Sequence, residues 1–301
     1  MERFLISGAS GMLGLVLSRA LIQRPATLIQ LVRRVPAGKG ELRWDPAAPS
    51  PVSQPQALEG LEAAIHLSGA NLAARRWTPQ YLREVTSSRV DSTRALATML
   101  AGLKAPPRSL LVASAVGIYG DRGDQVLDES SAPGSGFLAD LCRAWESAAA
   151  PAVEAGIRVA HLRFGVVLDR RAGALARMLP LFRLGLGGRL GSGKQWMSWI
   201  GLPDLVAAAL FVVDTPSLTG PVNLTSPEPV TNAEFTRAFS RRLHRPAVLP
   251  APAFALRIGL GRMADEALLA STRAVPRKLL DAGFQFAHAS IEDALAEAIG
   301  N

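Results

Sequence analysis

The chain is poor in cysteine, histidine, tyrosine and lysine, and each shortage closes a line of interpretation. A single cysteine, Cys142, in 301 residues leaves no internal disulfide framework and no cysteine-built zinc site. A reducing compartment, and with it a cytoplasmic location, is the expectation that follows. There are four histidines, none spaced with a carboxylate as metal ligands are, so no metal is expected. Uninterrupted apolar runs are short, none reaching the roughly 18 residues that a membrane span needs. No charged-then-apolar leader precedes the first strand-like run at Phe4–Ser7. Neither a membrane association nor a signal peptide is therefore expected. Lysine is confined to Lys39, Lys104, Lys194 and Lys278, so the net charge of +8 rests on arginines scattered along the chain. A nucleic-acid footprint needs clustering on one face, so no nucleic-acid partner is expected. The positive potential instead favours an anionic small molecule held in a cleft. Nothing in the composition sets an oligomeric state.

What the chain does have is an ordinary globular balance, 49% hydrophobic and 19% charged. Strand-like runs at Phe4–Ser7, Leu28–Val32, Ala63–Leu67, Leu110–Ser114 and Val159–Arg163 alternate with helical stretches at Gly11–Gln23, Thr78–Leu103 and Phe137–Ala155. That alternation predicts an α/β fold, a Rossmann-type doubly wound parallel sheet. The stretch from Pro36 to Pro55, rich in proline, glycine, alanine and serine, reads as a long surface connection. After Asp169 the rhythm changes. A helix at Leu175–Leu184 leads into a glycine-dense run from Gly185 to Gly193, then a helix at Pro203–Val213 and a strand at Pro221–Leu224. Thr231 and Glu234 form a capping-box pattern that opens a helix to about His244. From Pro250 the chain is helical with proline breaks and ends in Ile291–Ile299. The expected organisation is a nucleotide-binding core over 1–170, with 200–225 returning to it, and a smaller, discontinuous C-terminal subdomain over 171–199 and 226–301.

The segment with the most specific chemistry is the turn after the first strand, Gly8-Ala9-Ser10-Gly11-Met12-Leu13-Gly14. Glycines at this spacing, directly after a buried strand and opening a helix, permit a tight turn, a close backbone approach to a pyrophosphate, and close helix–strand contact. The helix start then offers free N–H groups and the positive end of its dipole to the phosphates. A plain strand–turn–helix with incidental glycines is the bland alternative. The end of the second strand bears on which dinucleotide is held. Acceptors of NAD usually place a carboxylate there for the ribose 2′-hydroxyl, whereas this strand ends in Arg33 and Arg34. Two guanidiniums suit a 2′-phosphate through charge-assisted hydrogen bonds, so NADP(H) is expected over NAD(H). Solvated arginines in an arginine-rich chain are the alternative.

With further motifs in view, the chain resembles an extended short-chain dehydrogenase/reductase. More narrowly it resembles the atypical group called epimerase family proteins, which are NAD-dependent epimerase/dehydratase-like and carry a C-terminal domain of unknown function. The resemblance covers nearly the whole chain. It rests on His66-Leu67-Ser68-Gly69-Ala70-Asn71, Ser87-Ser88-Arg89-Val90-Asp91, Ser114-Ala115-Val116-Gly117-Ile118-Tyr119-Gly120, Trp145-Glu146, Leu162-Arg163-Phe164-Gly165-Val166, Gly191-Ser192-Gly193-Lys194-Gln195-Trp196 and Asn223-Leu224-Thr225-Ser226-Pro227. Beside the cofactor contacts read from the turn and the second strand, at Gly8, Ser10, Gly11, Met12, Leu13, Gly14, Arg33 and Arg34, it adds its own. It implies further contacts from Leu67, Ser68 and Gly69 on the adenosine or pyrophosphate half, and from Ser114, Ala115, Arg163, Phe164, Gly165 and Val166 near the nicotinamide.

One departure from the superfamily stands out. Its typical members use a tyrosine with a lysine four residues later, and a serine at the end of the fourth strand. Ser114 fills the serine's place, but the tyrosine's expected position near Phe137 carries neither phenol nor, at Leu141, an amine. Groups in matching motifs that could transfer a proton instead are Tyr119, Glu129, Lys194 and Asp204. A phenol packed at the sheet's end, helix-start carboxylates and a solvated lysine are the structural alternatives. Ser114, Tyr119 and Lys194 form the candidate catalytic set. His66 and His161, on strand-like runs, read as core histidines. Two functions follow: an NADP(H)-dependent oxidoreductase or epimerase-like enzyme acting on a small carbonyl or sugar-nucleotide substrate, or a non-catalytic NADP(H)-binding sensor or regulatory protein.

Overall fold

The computed structural model describes residues 1–300. Its first strand, β1 (Glu2–Ser7), runs Phe4-Leu5-Ile6 with all three side chains at 0% exposure. A strand buried on both faces reads as a continuous apolar run and needs neighbours on both sides. It has them: β2 (Ala26–Val32) pairs in parallel with β1 from Glu2↔Ala26 to Ser7↔Leu31, and β4 (Ala63–His66) pairs in parallel from Phe4↔Ala63 to Ser7↔His66. With β3 (Glu41–Arg43), β5 (Ser109–Ala115), β6 (Arg158–Phe164) and β7 (Gly220–Leu224), the sheet has seven strands in the order β3-β2-β1-β4-β5-β6-β7. The order reverses between β1 and β4, and such a switch point is where open α/β sheets bind ligands beyond the strands' carboxyl ends.

Backbone contacts divide the chain into two units. Unit one comprises Met1–Ser114, Arg143–Leu162 and Val212–Pro221; unit two comprises Ala115–Cys142, Arg163–Phe211 and Val222–Asn301. In unit one, α1 (Met12–Ile22) follows β1, and α2 (Pro79–Ala101) follows β4. The second of these is a single helix of 23 residues, capped by the Thr78 hydroxyl, which accepts the Tyr81 N–H, with Pro79 at the start where its missing N–H is harmless. The stretch expected as one helix over Phe137–Ala155 is instead two, α3 (Phe137–Ser147) and α4 (Ala150–Glu154). Pro151 explains the interruption, since a proline disfavours helical backbone in the residue before it and cannot donate to the preceding turn.

The expected surface connection between Pro36 and Pro55 is in part a structural layer. Within it β3 extends the sheet in parallel, Gln30↔Glu41 to Val32↔Arg43, and Trp44 and Val52 bridge to each other at 3% and 0% exposure. Three residues of edge strand are too short for a period-two pattern to register.

Unit two contains α5 (Gly173–Arg183), α7 (Asn232–Leu243), α8 (Ala253–Leu260), α9 (Arg277–Asp281) and α10 (Ile291–Ile299), together with most of α6 (Leu202–Asp214). Its core gathers Leu168, Phe182, Trp199, Phe235, Phe239 and Leu295. The capping box at α7 is complete: Thr231 Oγ1 accepts the Glu234 N–H, and the Glu234 carboxylate accepts the Thr231 N–H. Among the described residues no helix is long and apolar enough to cross a membrane.

Candidate functional site

In unit one the site begins with the geometry of the glycine turn. Gly8 has φ +72, a region open to glycine and strained for other residues. A Cβ there would lie 2.8 Å from the carbonyl carbon and oxygen of Leu67, so the tip of β4 passes directly against the turn. A Cβ on Gly14 would fall 2.1 Å from the Gly8 carbonyl oxygen, so α1 can lie this close to the end of β1 only without a side chain there. Gly11 is the N-cap, and its N–H donates to the Gly8 carbonyl at 3.0 Å. No side chain caps α1, and its first turn carries no acid. The amides of Met12, Leu13 and Gly14 are thus left pointing out of a helix start with positive potential. Ser10 and Gly11 are exposed, and Met12 and Leu13 are half-buried. Backbone closes the Cβ positions at Gly8 and Gly14, so the turn keeps this shape only with glycine there, and the open amides fit a diphosphate.

The two arginines after β2 differ. Arg34 donates to both carboxylate oxygens of Glu41, one at 2.8 Å, and that contact holds the Glu41 carboxyl below its usual range. Arg33 extends into solvent and has no protein partner among the described residues. The sequence treated the two as equals because Glu41 belongs to the unrecognised edge strand.

Below the turn runs a buried line of hydroxyls whose directions can be assigned. Ser92 Oγ gives its proton to the Ser88 carbonyl at 2.7 Å, so toward His66 Nε2, 3.1 Å away, it can only accept. His66 therefore carries its proton on Nε2, and its Nδ1 accepts from Ser7 Oγ at 2.6 Å. Ser7 in turn accepts from Ser68 Oγ at 3.1 Å. Burial without a compensating charge holds the imidazole down to about 4, so it is neutral at physiological pH. His66 is thus a satisfied core histidine, and the line fixes Ser68 at the tip of β4. Gly69, next along, is exposed and lies under Arg89, whose Cζ would sit 3.1 Å from a Cβ there.

At the end of β5, Ser114 is 2% exposed and its hydroxyl donates to Glu146 Oε1 at 2.7 Å. The neighbour of Glu146 on α3, Trp145, is held from two sides. The Trp145 indole N–H donates to Thr93 Oγ1 at 3.0 Å, and the Arg89 guanidinium lies 5.1 Å from the Trp145 ring centre. Sequence reasoning quoted Glu146 in a motif but gave it no role. No local signal marked it, because its bond to Ser114 spans 32 residues of chain. Cys142 is 2% exposed in an apolar cluster with Ile118 and Leu127, and supplies no substitute phenol.

In unit two the structure brings together Tyr119 and Arg163 with partners the sequence did not connect. Tyr119 has no exposure; its hydroxyl donates to Asn223 Oδ1 at 2.8 Å and accepts from Arg163 Nη1 at 2.9 Å. Burial raises the phenol's pKa, against the opposing pull of the Arg163 charge. Glu129 accepts the backbone N–H of Asn223 at 3.0 Å and that of Lys278 at 3.3 Å, and burial raises its pKa as well. Burial lowers the pKa of the Lys278 ammonium, with Glu129 pulling it back up. Gly165 and Val166 continue from β6, fixed by N–H bonds to the carbonyls of Leu224 at 3.1 Å and Ser198 at 2.8 Å, while Phe164 is half-buried between Arg163 and this turn. Ala115, extended at the last position of β5, is half-buried. Lys194 is exposed in its glycine loop and is not part of the Tyr119 cluster. Asp204, 2% exposed, accepts the N–H groups of Ala287 and His288 at 2.8 and 2.9 Å, an anchor for that loop.

With this geometry in place, comparison with known proteins gives a consistent result. Residues 4–224 match the profile of the NAD dependent epimerase/dehydratase family, and residues 251–298 match a domain of unknown function. An epimerase family protein of Mycobacterium bovis is 47% identical over 293 residues, covering 97% of this chain and 96% of its own. The crystal structure of a human epimerase family protein with NADPH superposes with a TM-score of 0.90 at 32% identity, over 99% of this chain and 100% of that one. That of a nucleoside-diphosphate sugar epimerase from Corynebacterium glutamicum gives 0.80 at 35% identity, over 99% of this chain and 58% of that one.

Proposed function

The chain belongs to the NAD dependent epimerase/dehydratase family, and from that premise we propose that it binds NADP(H) in unit one and serves as an oxidoreductase or epimerase-like enzyme. Its substrate is a small carbonyl compound or sugar nucleotide, with anionic character suited to the chain's positive charge. The observation that carries this reading is the open start of α1, with three first-turn amides free above a turn that tolerates no Cβ at Gly14. Gly8, Ser10, Gly11, Met12, Leu13 and Gly14 hold the diphosphate by their backbone. Arg33 meets the 2′-phosphate, with Arg34 held to one side by Glu41. The NADPH in the human relative supports the same choice of dinucleotide. When bound, such a cofactor supplies or accepts a hydride.

Tyr119 does not serve as the proton donor in this reading, because its hydroxyl is buried and occupied on both sides. Ser114, at the carboxyl end of β5, is the polar group placed for the substrate oxygen. Calorimetry with NADPH, NADP⁺, NADH and NAD⁺ tests the cofactor assignment: binding of the phosphorylated pair at least tenfold tighter is expected, and no binding at millimolar ligand overturns it. Turnover of NADPH across a panel of carbonyl compounds and sugar nucleotides tests the enzymatic part. Nucleotide binding without turnover anywhere in the panel would favour the sensor reading.

A further inference from the structure

We propose that Glu146 is the proton reservoir of the nicotinamide end of this site and works through the Ser114 hydroxyl. The inference rests on the cofactor reading above and deepens it. Its geometry lies wholly within unit one. A dinucleotide bound at the β1/β4 switch point lays one half toward β2, where Arg33 marks the phosphorylated ribose, and the other half toward β4 and β5. The carboxyl end of β5 is Ser114-Ala115, so the redox-active ring would come to the serine whose hydroxyl donates to Glu146 at 2.7 Å.

The direction of that hydrogen bond defines what each group can do. Ionised Glu146 only accepts, so the Ser114 proton points at Oε1 and the lone pairs of Ser114 Oγ face away from it. Ser114 is thereby an acceptor toward a substrate hydroxyl. In the oxidative direction the substrate O–H bond breaks and its proton joins Ser114 Oγ, while the proton already on Ser114 passes to Glu146 Oε1. The carbinol carbon becomes a carbonyl as its hydride leaves for an oxidised nicotinamide dinucleotide. In reduction the same two protons move in reverse, from Glu146 to Ser114 and from Ser114 to the new alkoxide. The pair thus covers, with a carboxylate and a hydroxyl, the work that a phenol and an amine do in typical members of the superfamily. Trp145, pinned by Thr93 and covered by Arg89, sets the rotational position of Glu146 on α3.

A carboxylate in this position has a consequence that needs no substrate to observe. The oxidised ring is cationic and the reduced ring neutral, so Glu146 favours the oxidised cofactor. Glu146→Gln is isosteric and can still accept the Ser114 proton. In calorimetry it should raise the ratio of the NADP⁺ to the NADPH dissociation constant by roughly three- to tenfold, as expected for one charge at short range in a partly wet site. Glu146→Asp, which keeps the charge, should return the ratio to within about twofold of the parent, the size of an ordinary side-chain adjustment. Loss of side-chain packing alone would weaken both cofactors together and leave the ratio alone. An unchanged ratio in Glu146→Gln, with both cofactors still binding, overturns the proposal and leaves the cofactor reading standing. Failure of the parent protein to bind either cofactor overturns that reading instead.

Discussion

Two groups of polar atoms in this protein use similar ingredients in opposite ways. In unit one the turn from Gly8 to Gly14 leaves donors unmatched: a glycine caps α1, no acid sits in its first turn, and Arg33 has no protein partner among the described residues. In unit two the groups around Tyr119 answer one another: the phenol bonds Asn223 and Arg163, and Glu129 takes the backbone of Asn223 and Lys278. The starts of α1 and α7 repeat the contrast on a smaller scale, since α7 is closed by Thr231 and Glu234. A helix start or an arginine marks a ligand site where the protein has left its own groups unanswered, and marks architecture where it has answered them. Substitutions can break or sharpen that contrast, and their expected effects range from loss of the fold around the turn to a modest shift in stability.

The largest effect belongs to the open region. Gly14→Ala places a Cβ 2.1 Å from the Gly8 carbonyl oxygen and 2.7 Å from the Ala9 Cα, both backbone atoms that cannot rotate away. The start of α1 must then move off the end of β1, at a cost of about 3 kcal/mol or more, the upper range for overpacking. Urea denaturation should show that loss, and dinucleotide binding should vanish with it. An alanine variant that bound NADPH normally would mean the turn is not the phosphate cradle.

Next in size is His66, which lies beneath the open turn and yet behaves like the closed cluster. Its folded-state pKa is held down to about 4, against about 6.5 for an unfolded histidine. Between those values the unfolded chain binds a proton that the folded chain does not. The stability is fully present above about pH 6.5 and falls by about 3 kcal/mol as the pH drops toward 4. Nitrogen-15 NMR of the imidazole should find the neutral Nε2-protonated form through neutral pH. A resonance that titrates near pH 6.5 would dissolve the assigned line from Ser68 to Ser92.

Much of unit one was legible from local pattern. A buried strand, three glycines and a helical run lie within a few residues of one another, so the turn is written in contiguous sequence, as are the strands at Leu28–Val32, Ala63–Leu67 and Leu110–Ser114. What escaped was short or non-local. The edge strand at Glu41–Arg43 is too brief for a period, and with it went the partner that separates Arg34 from Arg33. Glu146 was visible as a letter beside Trp145, but its bond to Ser114 spans 32 residues of chain and exists only after α3 packs. The network in unit two is harder still, because Tyr119 and Asn223 stand 104 residues apart and no local pattern joins them. Tyr119 was therefore weighed from its motif both as a proton donor and as a phenol packed at the sheet's end, with no view of Asn223 or Arg163.

Arg33→Ala tests whether an unanswered arginine is a ligand group. NADP(H) binding should weaken by roughly 1.5–3 kcal/mol, the usual worth of a hydrogen bond to a charged group, while NAD(H) binding and the urea midpoint stay put. Arg34→Ala should weaken NADP(H) less, because that guanidinium is already engaged with Glu41. Equal losses for both dinucleotides in Arg33→Ala would remove the 2′-phosphate from the account.

The smallest effect is expected where everything is already matched. Tyr119→Phe keeps the ring in its buried slot and deletes one hydroxyl, so Asn223 Oδ1 loses its donor and Arg163 loses one of its acceptors. Stability should drop by about 1–2 kcal/mol, the range for a buried polar group deprived of its partner. Dinucleotide affinity should not move, since the phenol has no exposure and its hydroxyl is occupied by Asn223 and Arg163. Its raised pKa points the same way: burial keeps the proton on the oxygen, and the Arg163 charge only partly offsets that. Paired calorimetry and urea melts separate the two effects in one variant. A change in NADPH affinity at constant stability would place Tyr119 among the unanswered groups, and the division between open and closed clusters would then run somewhere else in the molecule.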